Sequence, residues 1–383
     1  MIASFKRGMA QLASRKIYIF MMVIVPIGCA FFFLNLMHEG LPLKVPVGIV
    51  DLDHSSLSRR ITRSLNATEL IDLSSAPESF NEAMGQVRSG EIYGFFYIPA
   101  DFQEKALSGR TPTLAFYSNM SIFVPGTLSF KGFKTIAVST SGAIVKTTLV
   151  SAGADETLAG EMLQPIVISD HPLGNPWLNY SYYLSQSFLA GVMGLLVMLL
   201  TVFSIWQEIK QGTSPEWLAT AKGNMAVALA GKLLPQTIIF SAVGIFIQSL
   251  MFGYLHFPLN CNPLHMITAM VLLVTASQAW AALIAETVPN FRLALSIVSL
   301  TGILCFSIAG FSFPVDKMYG GVAIFSYIVP IRYYFLIYID QALNGIPIYY
   351  SRMYYLALFC FLLLPVLGLK ALKKQCLNPV YQR

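Results

Sequence analysis

The chain has 383 residues, 55% hydrophobic and only 11% charged, where an ordinary soluble domain carries about 25% charged residues. A mean hydropathy of +0.63 excludes a wholly water-facing fold and predicts an α-helical polytopic membrane protein. The formal charge of +6 is uneven: residues 44–180 hold 10 Lys+Arg against 13 Asp+Glu, and the rest holds 15 against 6.

The basic excess therefore belongs to the membrane part, where it sets topology and meets anionic lipid. No Lys/Arg cluster with interleaved aromatics is present, so nucleic acid is not expected as a partner. Cys29, Cys261, Cys305, Cys360 and Cys376 all lie outside the polar region 44–180, and no Cys-x-x-Cys or His-x-x-x-His spacing occurs. Neither a disulfide framework nor a metal site is expected.

In residues 1–16, Ile2, Phe5, Met9 and Leu12 recur at helical spacing, with Lys6, Arg7 and Arg15 off that stripe. This predicts an amphipathic helix on the membrane surface. The first span follows at 17–37. "FFFLNLMHEG" lacks a small-x-small cleavage site, which favours an uncleaved anchor over a signal peptide.

Residues 38–182 are polar by comparison and predict an inserted extracytoplasmic α/β domain. "KVPVGIVDLDHSSLSRRITRSL" gives a strand over Val45–Val50, then a helix capped by Ser55 or Ser56. "LIDLSS", "EIYGFFYIP" and "TPTLAFYSN" give further strands. They alternate with helices closed by Gly90 and Gly109. "SIFVPGTLSFKGFKTIAVSTSGAIVKTTLV" is expected to be largely helical. Asp51 and Asp53 end the first strand, where α/β sites often lie. Turn and cap chemistry accounts for both, and no nucleophile elbow or Ser/His/Asp set is legible.

Five more apolar runs follow, at 183–206, 225–253, 264–285, 293–312 and 353–369, each near the length that crosses a bilayer. Basic residues at both ends (Lys6, Arg7, Arg15, Lys16 and Lys370, Lys373, Lys374, Arg383) place both termini in the cytoplasm. "GGVAIFSYIVPIRYYFLIYI" competes as a seventh span, but Pro330 and Arg332 interrupt it. A pair of half-helices dipping in from the outer face is preferred. Arg332 with Asp340, and Glu286 with Arg292, are candidate ion pairs.

The chain carries no phosphate-binding loop. The nearest fragment, "GNMAVALAGKLL", places Leu233 after Gly231-Lys232 and Ala226 where the first glycine is required. No carboxylate pair suits a proton relay, and no catalytic residue or cofactor is expected in this chain.

Between the second and third spans lies "QEIKQGTSPEWLATAKGNMAVALAGK". Thr213-Ser214 before Pro215 predicts a helix start with Ser as cap and Pro first. Glu208, Lys210 and Glu216 are expected in water, with Trp217 and Leu218 free to anchor the helix or dock a partner. This stretch resembles the cytoplasmic loop of type 2 ABC exporter permeases, Glu-x-x-x-Gly-Thr-x-Glu-x-Leu followed by a basic residue opening the next span. Glu208, Gly212, Thr213, Glu216 or Trp217, Leu218 and Lys232 correspond. A second match lies at 310–345, where the family shows Gly, Phe-Pro, Met-Pro, Pro-x-x-Tyr and a closing Gly. Here Gly310, Phe313-Pro314, Met318, Pro330, Tyr333 and Gly345 correspond, with Tyr319 in place of the second Pro.

The resemblance covers nearly the whole chain. It implies a permease of the bacterial inner membrane, paired with a second permease, identical or sister. A cytoplasmic ABC ATPase that binds ATP and Mg would dock on a coupling helix at 213–222. The resemblance also implies a re-entrant exit segment at 313–345 containing Arg332, and a periplasmic adaptor as a possible partner. The substrate implied is drug-like or lipid-like. Gly191, Met193, Met198, Ser299 and Ser307 are candidates for the translocation path, with helix packing as the competing explanation. A membrane-anchored scaffold whose outer domain recruits a partner is the alternative function.

Overall fold

The computed structural model describes residues 1–108, 110–121, 123–151, 153, 155, 157, 174–176 and 179–378. The chain divides into two compact units, Met1–Gly40 with Pro172–Arg383, and Leu41–His171.

The first unit is helical. Helix α1 (Ile2–Ser14) is followed by α2 (Lys16–Leu36), which passes through a π turn at Phe20–Ile24 just before Pro26. Proline lacks an N–H and crowds the preceding turn, and a locally widened helix relieves that clash. In the second unit the elements run β1 (Val45–Asp51), α3 (Ser56–Asn66), β2 (Ile71–Ser75), α4 (Phe80–Ser89), β3 (Gly94–Ile98), α5 (Phe102–Leu107), β4 (Ala115–Ser118) and α6 (Phe123–Ser151). The first unit resumes with α7 (Ser181–Lys210), α8 (Ser214–Thr220), α9 (Met225–Tyr254), α10 (Pro263–Thr287) and α11 (Phe291–Ile308). It ends with α12 (Gly320–Tyr327), α13 (Pro330–Leu343), α14 (Ile348–Leu367) and α15 (Leu369–Leu377).

Among the described residues, α2, α7, α9, α10, α11 and α14 are the six helices long and apolar enough to cross a bilayer. The last begins at Ile348, five residues before the apolar run at 353, because "IYYSR" is amphipathic yet still helical. Helices α12 and α13 bend by 79° at Ile328-Val329, where Pro330 supplies a ready N-terminus for α13. Span α7 is the core, 72% buried over its apolar window against 11% for α14. Small residues let its neighbours close in. Gly191 lies under the Phe306 ring, Gly194 under Ile331, and Gly302 of α11 under Leu195.

In the Leu41–His171 unit the strand order is β2-β1-β3-β4, with β1 parallel to β2 and β3, and β4 antiparallel to β3. Alternation sends Val47, Ile49, Phe96 and Ile98 to one face, with α3, α5 and the Phe133–Ile136 turn of α6. Val50 and Phe95 go to the other, with α4. Ser55 caps α3 through Ser58 N at 3.0 Å, and Gly90 closes α4 at φ +81°. Gly109 lies outside the described residues. Asp51 Oδ1 accepts from the backbone N–H of Asp53 and His54, and Asp53 Oδ2 from Gln103 N. Both carboxylates are thus occupied in building the turn.

Candidate coupling site between the second and third spans

Span α7 ends at Lys210, and Gly212 turns the chain at φ +71°, a conformation that suits a residue without Cβ. Helix α8 then starts one residue earlier than the sequence suggested. Thr213 holds the cap position, and Ser214 and Pro215 are the first two helical residues. The reason lies in the side chains. Thr213 Oγ1 donates to Glu208 Oε2 at 2.5 Å instead of capping, and Ser214 Oγ donates to the Cys376 carbonyl of α15 at 3.0 Å.

Glu208 is not in water. It is 3% exposed and lies 2.7 Å from Lys232 Nζ and 3.1 Å from Arg7 Nη2. Lys232 itself is 1% exposed and also donates to Gln11 Oε1. A buried carboxylate must be compensated by charge and hydrogen bonds, and here α1 and α9 supply both. Arg7 reaches further, to the Thr213 carbonyl at 3.3 Å and to exposed Glu216 at 3.4 Å. Partial burial lowers the Arg7 pKa, but Glu208 and Glu216 outweigh that and raise it above its ordinary value, so Arg7 stays cationic.

Trp217 and Leu218 face inward as well. Trp217 is fully buried, donates Nε1–H to the Ala228 carbonyl at 3.1 Å, and carries the Lys232 ammonium 5.0 Å from its ring centre. Neither residue is available to a partner. The outward face of the loop and helix is Gln211, Gly212, Pro215, Glu216 and Ala219.

Helix α1 completes the arrangement by a route its apolar stripe did not show. Its buried positions are Ser4, Gly8 and Leu12, whereas Ile2 and Met9 are exposed. A Cβ on Gly8 would stand 2.9 Å from the Lys232 carbonyl, and Ser4 Oγ lies 2.7 Å from Thr220 Oγ1. Arg7, Gln11 and the Ser4/Gly8 stripe were missed by sequence reasoning. The recurrence of small residues four apart was the available signal.

The residues at 310–345 form a separate cluster. Gly310 takes φ +100°. A Cβ there would stand 2.6 Å from Arg332 Nη1, which donates to the Ala309 carbonyl at 2.9 Å while the guanidinium sits 5.3 Å from the Tyr327 ring centre. Arg332 does not pair with Asp340. Asp340 Oδ2 instead accepts from Ser351 Oγ at 3.0 Å, because eight residues along one helix hold the two about 12 Å apart. Tyr333 donates to the Tyr327 carbonyl at 2.8 Å, Pro330 is buried, Met318 is half-buried, and Phe313 and Pro314 are exposed. Glu286 does not pair with Arg292 either. Its carboxylate is fully buried, with no hydrogen-bond partner among the described residues, while Arg292 is exposed on the far side of the turn.

A polar core missed in the sequence joins α7, α9, α10 and α13. Tyr334 Oη accepts from Gln186 Nε2 and from Gln248 Nε2, the latter at 2.9 Å, and Gln248 Nε2 also reaches the Met266 carbonyl at 3.0 Å. Of the path candidates, Met193 and Met198 are buried, Gly191 packs on Phe306, Ser299 is half-buried and Ser307 exposed. They do not share one surface.

A family model described as ABC-2 family transporter protein matches residues 16–369. Comparison with curated proteins found no match. The matched range takes in all six long apolar helices and α8 with its Glu208–Lys232 pair, though not α1. The chain therefore belongs to the ABC-2 transporter family as a multi-pass membrane permease, a kind of subunit that is generally non-catalytic and implies an ATPase partner.

Proposed function

We propose that this chain is the permease of an ATP-driven exporter moving an amphipathic or hydrophobic, drug-like or lipid-like substrate out of the cytoplasm or inner leaflet. A separate ATPase binds ATP and Mg and docks on α8, and a second permease, identical or sister, completes the path. The basic residues at both ends favour cytoplasmic termini in a bacterial inner membrane. The unit 41–171 would then lie outside, where an adaptor could meet it, and α12 with α13 would be a re-entrant pair at the outer face. Ser299 and Ser307 on α11 are the path candidates left at least partly accessible.

One observation carries this reading. Helix α8 presents Pro215, Glu216 and Ala219 outward, while Thr213 at its start holds Glu208 of α7 and Trp217 holds Ala228 of α9, the two spans being joined by the buried Glu208–Lys232 pair. A push on the outer face would therefore be delivered to two spans together. Stiff, packed elements transmit displacement in this way.

The test is to purify the C-terminally tagged chain from native membranes in mild detergent and assay ATP hydrolysis in the eluate. Pro215→Arg with Ala219→Arg alters only exposed positions that make no side-chain hydrogen bond. The wild-type chain should bring an ATP-hydrolysing subunit. The double variant should lose it while keeping its melting temperature. An ATPase-free wild-type eluate, or full retention in the double variant, would refute docking on α8.

A further inference from the structure

We propose that the unit formed by residues 41–171 contains a binding site for an amphipathic anion, in the cavity between α5, the segment 110–114 and the second half of α6. The inference rests on the transport reading and narrows it, since it names an anionic amphiphile as the substrate class.

The cavity measures about 610 Å³, within the range of sites that enclose a small organic ligand. Its cause is visible along α6. At Phe133 and Ile136 the helix fills the space against Phe96 and Phe116. One turn on, Ala137, Thr140 and Ser141 line the cavity, followed by Val145 and Leu149. The spacing keeps these on one helix face, and the short side chains let that wall recede. Across from it stand Phe102 and Ala106 of α5 and Leu114, all apolar. Pro112 lies in the intervening segment and cannot donate a backbone hydrogen bond that would draw it onto α6.

Among the described residues the charge lining the cavity has one sign: Arg110 lines it and no Asp or Glu does. Among the described residues Asp101 pairs with Lys105 at 2.5 Å. Thr111, Thr113, Thr140 and Ser141 add hydroxyl groups to the lining. An apolar chamber lined by an arginine and hydroxyl-bearing residues, with no carboxylate among its described lining residues, is complementary to a hydrocarbon body ending in a carboxylate, sulfate or phosphate. It would reject the corresponding cation.

The experiment uses the full chain in phosphatidylcholine nanodiscs and photolabels it with a diazirine fatty acid. The matching fatty alcohol and alkylammonium are run in parallel, and labelled peptides are mapped by mass spectrometry. The fatty acid should label segments within 102–149 about tenfold more than either analogue, as one charge-assisted contact would give. Arg110→Glu should remove about that factor. Ala137→Trp, which fills the wall, should do the same, and Thr140→Phe serves if the Trp variant does not fold. Labelling of the spans reports partition and folding and should not change.

Competition by phosphatidylglycerol in the disc identifies a lipid headgroup as the source of the anion. Competition by decanoate alone identifies a free amphiphile. Equal labelling by all three probes, labelling confined to the spans, no competition by either anion, or persistence in Arg110→Glu would overturn the site. ATPase co-purification is unaffected by these outcomes, so the site can fail while the permease reading stands.

Discussion

The ammonium of Lys232 lies 2.7 Å from the carboxylate of Glu208, 24 positions away in sequence, and the two side chains are 1% and 4% exposed. Breaking such a pair from one side strands a buried charge, which costs about 3–5 kcal/mol. Lys232→Met and Glu208→Gln should each lower the melting temperature in detergent strongly. The combined Glu208→Gln/Lys232→Met variant should lose much less than the sum of the two. A double-mutant cycle gives the coupling, and additive losses would show that the ion pair does not tie α7 to α9.

This pair also marks how far the sequence could be read. Glu208 and Lys232 were visible as an acid before a Gly-Thr turn and a base opening the next span. Six apolar runs were visible because bilayer length forces about 20 such residues in a row. The inward turn of Trp217 was not visible, since a seven-residue helix is too short for its periodicity to name a buried face. The Gln186–Tyr334–Gln248 core was equally hidden. Lone polar residues inside apolar runs say that a partner exists without saying where. Arg332 and Asp340 look complementary at two helical turns, but eight residues of helix hold them about 12 Å apart, and Arg332 takes backbone and ring partners instead.

Helix α1 should detach when its close approach is blocked. Gly231 accepts Ser4 so tightly that an added Cβ would stand 2.5 Å from Ser4 Cβ, a separation no packed core allows. Gly231→Val should therefore free α1 from α9 and speed tryptic cleavage after Lys6 and Arg7 in the purified protein while α7 and α9 remain inserted. Gly8→Val should act alike through the Lys232 carbonyl. Unchanged cleavage rates at these two residues would contradict the packing of α1 on α9.

Tyr334→Phe removes a hydroxyl that takes hydrogen bonds from two buried amides. Leaving donors unsatisfied costs about 1–3 kcal/mol, with values of about 0.6–2 kcal/mol for such bonds inside membranes. The variant should melt lower than wild type. Adding Gln186→Leu and Gln248→Leu should recover part of that loss, because apolar groups then replace every stranded donor. A triple variant less stable than Tyr334→Phe would mean that the glutamines act through other contacts, such as the Met266 carbonyl.

Gly310→Ala tests the turn that receives Arg332. At φ +100° a side chain is strained whatever the space, and here the added Cβ also meets the guanidinium 2.6 Å away. The loss should exceed about 1 kcal/mol, since Ala at positive φ costs more than the amount an unstrained Gly→Ala change gains. Arg332→Ala and Asp340→Ala should combine additively, since the residues have different partners. Measurable coupling between them would restore the ion pair that the geometry excludes.

Glu286 makes the opposite case to Glu208. Both carboxylates are buried near the ends of spans, yet Glu208 has two cations and a hydroxyl, and Glu286 oxygens have no partner among the described residues. It lies under Gly368, where α14 hands over to α15, and Gln375 Nε2 reaches its backbone carbonyl at 3.4 Å. An unpaired buried carboxylate is destabilising in its charged form, and Gln keeps the shape without the ionisable group. Glu286→Gln should therefore leave the melting temperature unchanged or raise it, whereas Glu208→Gln lowers it. Gly368→Ala should be destabilising in the wild-type background, because its methyl group is driven into the carboxyl. If Glu286→Gln instead proves as damaging as Glu208→Gln, the carboxylate has a cationic partner supplied by another subunit or a bound ion, and the ATPase complex would be the place to find it.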